Sequence, residues 1–177
     1  MKAQNESLKN RAYIKPLLMV IALLFISVCG SAQDNDPFPF KGGSEVMAKF
    51  FRDSVSFSPD LQARRANGTV VLKFSANANG TLSRIVVYYA DDIILAQPVL
   101  DALAKSSSKW LVPGNRVRSD YMISFTIGFN LPANPAPELK DKLYSFYADR
   151  RPITASNEIP LGEITMLPNV VLNYDVQ

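Results

Sequence analysis

GTVVLKFSANANGTLSRIVVYY, residues 68–89, decides the fold. Val70, Leu72, Phe74 and Ala76 fall on one side of an extended chain and Thr69, Lys73 and Ser75 on the other, which is the alternation of a strand with one buried face. Asn77-Ala78-Asn79-Gly80 then supplies turn residues. The chain returns with Ile85, Val87 and Tyr89 on one face and Val86 and Tyr88 on the other, so the stretch predicts an antiparallel hairpin. Its second arm is apolar on both sides and is expected at the centre of the sheet. The spacing of three between Leu82 and Ile85 predicts a bulge there, or a Leu82 that still belongs to the turn.

Downstream, Gln97-Pro98 predicts a helix start, with Val99, Ala102 and Leu103 at helical spacing, Leu95 stapling the entry and an end near Ser106. Trp110, ahead of Pro113-Gly114, is expected as a core anchor whose indole N–H needs a partner. A third extended run carries Tyr121, Ile123, Phe125, Ile127, Phe129 and Leu131 on its core face. Met122, Ser124, Thr126, Gly128 and Asn130 make the opposite face small and polar. Upstream, Gly42-Gly43-Ser44 predicts a helix capped by Ser44, with Glu45 at its positive end and Val46, Met47, Phe50 and Phe51 as the apolar stripe. A shorter helix is expected from Pro59 to Ala66, stopped by Asn67-Gly68, with Arg64-Arg65 as a solvated face or a partner contact.

The chain has 177 residues and a formal charge of +3, which suits one ordinary core with appendages. Its positive charge is local: four of the 19 basic and one of the 16 acidic residues precede Gln33, leaving 15 of each. No general field remains to attract nucleic acid or anionic lipid. The basic start, the apolar run Leu17 to Cys29 and the small residues Gly30-Ser31-Ala32 read as a secretory signal, residues 1–32. As a helix the apolar run would reach roughly 20 Å, short of about 30 Å of hydrocarbon. An uncleaved anchor, and a lipid-bearing Cys29, are the alternatives; membrane contact is expected only if the leader stays. Cleavage after Ala32 would leave no cysteine.

Enzymatic chemistry is not expected. There is no histidine, the commonest general base and metal ligand. Ser106-Ser107-Ser108-Lys109 has a Ser-(two residues)-Lys spacing, but no Lys-Thr-Gly partner, and reads as a polar helix end. Asp91-Asp92 is the one carboxylate pair of interest and reads as a solvated approach to a helix. No cofactor and no metal are expected.

Phe38-Pro39-Phe40-(one residue)-Gly42-Gly43, a helix, Phe57-Ser58-Pro59, Gly68-Thr69-Val70-Val71-Leu72-Lys73-Phe74, Asn79-Gly80-Thr81-Leu82, a helix, Lys109-Trp110, Pro113-Gly114 and a long final strand follow one another over residues 38–131. This order resembles the C-terminal domain of TonB proteins of the Bacteroidota type. Phe57-Ser58-Pro59 stands where that family has Tyr-Pro, and Trp110 is one residue further from its proline. The resemblance implies an α+β fold: a three-stranded antiparallel sheet backed by two main helices, with an extra C-terminal tail. It also implies a periplasmic location and a partner, a TonB-dependent outer-membrane receptor or another envelope protein, whose short segment adds as a strand to the sheet edge in energy-dependent transport. The edge would be the last strand, with Tyr121, Met122, Ser124, Thr126, Gly128 and Asn130, helped by Ser58, Arg64 and Arg65. About six edge hydrogen bonds at roughly 0.5–1.5 kcal/mol each make such a grip weak and reversible. A homodimer through the same edge, or a structural scaffold that reuses the fold for self-assembly, is the alternative.

Residues 33–37 are too few to be a periplasmic spacer, so the chain reads as a grip without a lever. After Leu131, residues 132–177 divide into a Pro-rich linker, a short amphipathic helix on Leu139, Leu143, Phe146 and Tyr147 ended by Arg150-Arg151-Pro152, and a strand-like run from Ile164 to Tyr174 split by Pro168. That run is either a loose tail or a plug that pairs with the exposed edge of its own domain or of a neighbour's.

Overall fold

The structure is a computed structural model that describes residues 37–114, 116–131, 133–155 and 164–176. The signal, residues 1–32, lies outside the described residues, as does all but the last position of the linker 33–37.

Helix α1 (Gly43–Ser54) and the single-turn α2 (Pro59–Ala63) precede strand β1 (Gly68–Asn77), the hairpin arm β2 (Leu82–Ala90), helix α3 (Ile93–Lys105) and the long strand β3 (Arg118–Asn130). Helix α4 (Glu138–Asp149) and three short strands complete the chain: β4 (Ile153–Thr154), β5 (Ile164–Met166) and β6 (Val170–Asp175). The sheet is mixed and six-stranded in the order β4-β2-β1-β3, with β5 and β6 in succession along the far side of β3. Both the three-stranded count and the central place given to β2 are thereby corrected. Of the hairpin arms, β1 is the one paired along most of its length on both sides, whereas β2 has only the two-residue β4 beyond it, and Val70, Leu72, Phe74 and Ala76 are fully buried. Val86, Val87, Tyr88 and Tyr89 of β2 are only half-buried, and β4 pairs with it only at Tyr89 and Ala90.

The bulge is present. Lys73 pairs with Val86 but Ser75 pairs with Ser83, so β2 spends an extra residue there, and Arg84 takes a left-handed φ of 52° to absorb it. In the turn, the Asn77 Oδ1 accepts from the N–H groups of Asn79 and Thr81. Gly80 has φ 77°, and a Cβ there would lie 2.5 Å from the Trp110 carbonyl, which is why the turn needs glycine.

Two helix starts differ from the expected ones. Gly42, not Ser44, is the N-cap of α1, in a left-handed conformation that glycine adopts without steric cost. Helix α3 begins five residues earlier than Gln97-Pro98 suggests, because Asp92 caps it by accepting from the Ile94 N–H, and Pro98 is carried inside the helix. Asp92 is also fully buried, not solvated: its other oxygen accepts from the Arg151 N–H beyond α4. Asp91 is engaged as well, accepting from the Thr69 N–H and the Tyr89 hydroxyl. Hydrogen-bonding to Asp91 raises the Tyr89 phenol above its ordinary value, with burial adding to the shift.

The core lies between the sheet and helices α1 and α3. Trp110 is buried edge-on to Phe40 and Phe74 and stacked on Tyr121, and its Nε1 donates to the Ser106 hydroxyl at 2.8 Å. Ser106 Oγ in turn donates to the Leu103 carbonyl at 2.6 Å, so the Ser-x-x-Lys serine is a buried structural link.

Candidate functional site

Strand β3 pairs antiparallel with β1 from Gly68↔Ile127 to Asn77↔Arg118, which leaves its other edge to the tail. There β5 pairs in parallel with Asp120, Tyr121 and Met122, and β6 pairs in parallel with every residue from Phe125 to Asn130. The Leu167 N–H donates to the Met122 carbonyl between them, so the tail follows β3 across Pro168. The strand-like run from Ile164 thus pairs with its own domain. A parallel partner requires a long crossover, and the linker with α4 and β4 supplies it.

Backbone pairing is joined by side chains on both faces. Toward the helices, Val170, Leu172 and Tyr174 are buried beside α1 and the Phe57 segment. The Tyr174 ring lies 5.1 Å from Phe57 and 5.8 Å from Phe129, and its hydroxyl donates to the Ala66 carbonyl at 2.8 Å. Burial pushes this phenol up to about 12, with the Arg65 charge opposing slightly. Burying three such side chains is worth roughly 5–8 kcal/mol before ordering costs. On the open face the Asn169 amide accepts from Ser124 Oγ at 3.0 Å and donates to Thr126 Oγ1 at 3.1 Å. Asn130 donates to Asp175 at 2.8 Å. Gly128 leaves room for the Asn173 side chain, whose Oδ1 would stand 3.0 Å from a Cβ at that position.

Among the six edge residues expected to face a partner, Ser124, Thr126 and Asn130 therefore contact the tail through side chains, and Gly128 through its lack of one. Met122 is buried on the open face. Tyr121 is fully buried on the core face and donates to the Leu111 carbonyl, so its side chain is not available to an added strand. Ser58 caps α2 by accepting from the Leu61 N–H. Arg64 lines an open cleft with Glu138, Asp141, Lys142 and Asp149 of α4, where both signs of charge are present. Arg65 donates to the Gln62 carbonyl and lines a neighbouring cleft with Val176, near the end of β6.

The residues that sequence reasoning missed at this site are Ala66, Asn169 and Asn173. Their roles come from proximity between segments 43 to 108 positions apart, which no local pattern encodes. Among the described residues, no group of three or more His, Cys, Asp or Glu could hold a metal ion, and no helix is long and apolar enough to cross a membrane. No family model, no curated protein and no solved structure matches this chain.

Proposed function

We propose that this is a periplasmic protein-binding module of the TonB C-terminal type, without enzymatic activity, which takes up an extended segment of an outer-membrane receptor along β3. The observation that supports this reading is the tail itself. Strand β6 makes six consecutive parallel pairs along that edge and seats three side chains in the core, so the edge accepts an added strand with side-chain selectivity.

Uptake of a partner then proceeds by exchange. A tethered strand acts at an effective concentration in the millimolar range, so a free peptide of equal fit is outcompeted, and a receptor segment gains access when β6 leaves. The expected consequence is that removing residues 164–177 strengthens the binding of receptor plug-domain peptides over the full chain. Isothermal titration of both forms checks it. A synthetic peptide of residues 167–176, added in trans, should bind the shortened chain and shows that its groove is intact. If that peptide binds and the receptor peptides do not, the receptor reading fails.

A further inference from the structure

We propose that helix α4 is a surface anchor, which lays one flank on a bilayer that contains anionic phospholipid. Phe146 is the one side chain of this 12-residue helix that is buried. Counted from Phe146 at about 100° per residue, Leu143, Tyr147, Lys140 and Tyr144 follow on one side at about 60°, 100°, 120° and 160°. On the other side Asp149, Glu138 and Asp141 stand at about 60°, 80° and 140°. A helix of a soluble domain turns its apolar flank to the core, but here Tyr144 is 64% and Tyr147 48% exposed. Leu139 and Leu143 are half-buried and line an apolar groove with Pro135 and Pro137.

The charges select the occupant. Asp149, Glu138 and Asp141 line a cleft with Arg64 and Lys142, away from the apolar flank. Lys140 and Arg150 border that flank instead: the Lys140 ammonium lies 5.7 Å from the centre of the Tyr144 ring, and the Arg150 guanidinium 5.6 Å from that of Tyr147 and 3.6 Å from Asp91. Arg151 beyond them is exposed. Aromatic rings at headgroup depth, with cations beside them reaching for phosphate, are the signature of a helix lying in a bilayer interface. Contact needs no rearrangement, because the buried Phe146, the Tyr147 hydroxyl donating to Asn67 at 2.5 Å and the Arg151 N–H donating to Asp92 at 2.8 Å fix the helix. With basic and acidic residues balanced beyond residue 32, the attraction acts over a short range and the anchor is reversible. It uses neither the leader nor β3, so it stands apart from receptor binding.

Hydrogen exchange on the full chain recovered from the envelope, with and without lipid vesicles, tests this. Vesicles of phosphatidylethanolamine with phosphatidylglycerol should slow the amides of α4, and vesicles of phosphatidylcholine alone should not. Lys140→Glu should raise the lipid concentration for half protection about fivefold or more, and Tyr144→Ser should raise it severalfold. Both positions are exposed and their contact is with each other, so neither change disturbs the core. Arg52→Glu, the same change of charge at an exposed position of α1, should shift it by less than about twofold. Amides of α4 that anionic vesicles do not slow overturn the proposal, whether the chain stays in solution, as it would if this flank served a protein partner, or is held by a retained leader. So does slowing that phosphatidylcholine matches, and so does an Arg52→Glu effect equal to that of Lys140→Glu.

Discussion

Tyr174 joins three parts of the molecule at one side chain: its backbone extends the sheet, its ring fills the space between Phe57 and Phe129, and its hydroxyl reaches the Ala66 carbonyl. Tyr174→Phe keeps the ring and loses the hydrogen bond, which should cost about 1 kcal/mol, measured by urea denaturation at pH 7. The sign of its pH dependence follows from the raised phenol. In the unfolded chain a tyrosine ionises near pH 10, and here only near about 12, so the folded form holds its proton longer. Its contribution is complete below about pH 10 and is lost as the pH rises toward about 12. The gap between wild type and Tyr174→Phe should therefore shrink or reverse at pH 11, read from phenolate absorbance and tail amide exchange. That a tyrosine closes the strand-like run is plain in the sequence. Its acceptor, Ala66, is 108 positions away, and nothing in either segment points to the other.

At the level of elements, Asp92 connects α3 to the segment after α4 through one carboxylate. One oxygen caps the helix at Ile94, 2.9 Å away, and the other receives the Arg151 N–H at 2.8 Å. Asp92→Ala removes both and leaves two part-buried N–H donors without this partner, and should cost about 1–2 kcal/mol. Asp92→Asn, which retains an accepting oxygen, should recover part of that loss. Chemical denaturation gives the magnitude, and amide exchange at Ile94 and Arg151 shows that both ends are affected. The start of α3 is also where local signals compete. Pro98 suits a first helical turn, but a buried aspartate with two donors outweighs it, and the helix tolerates the proline inside. A pattern of residues shows both candidate caps and does not rank them. By contrast, the spacing from Leu82 to Ile85 does expose the bulge, because an added residue shifts the strand's period wherever the strand is placed.

Across the whole molecule, β1 is paired on both sides and β6 on one, with α1 its main helix contact. Local opening of β6 exposes the few side chains it buries, whereas opening β1 dismantles the core. Native-state hydrogen exchange should therefore show β6 amides released by a partial opening of lower free energy than β1 amides. Equal values for the two strands would leave the proposed exchange at β3 without a route.

The sequence by itself determined the apolar face of β1 and of most of β3, the hairpin and the burial of Trp110, and it offered the bulge as one of two readings, because these depend on a period of two residues and on side chains that must leave water; Val46, Leu131 and Tyr147, expected on apolar faces, are exposed. Only the tertiary structure decided that β1 is central, that Asp92 is buried, and that residues 164–175 fill the edge of β3. Those outcomes depend on which distant segments meet. A strand's edge offers its hydrogen bonds to any extended chain, and the long crossover after Leu131 brings this chain's own tail to it first.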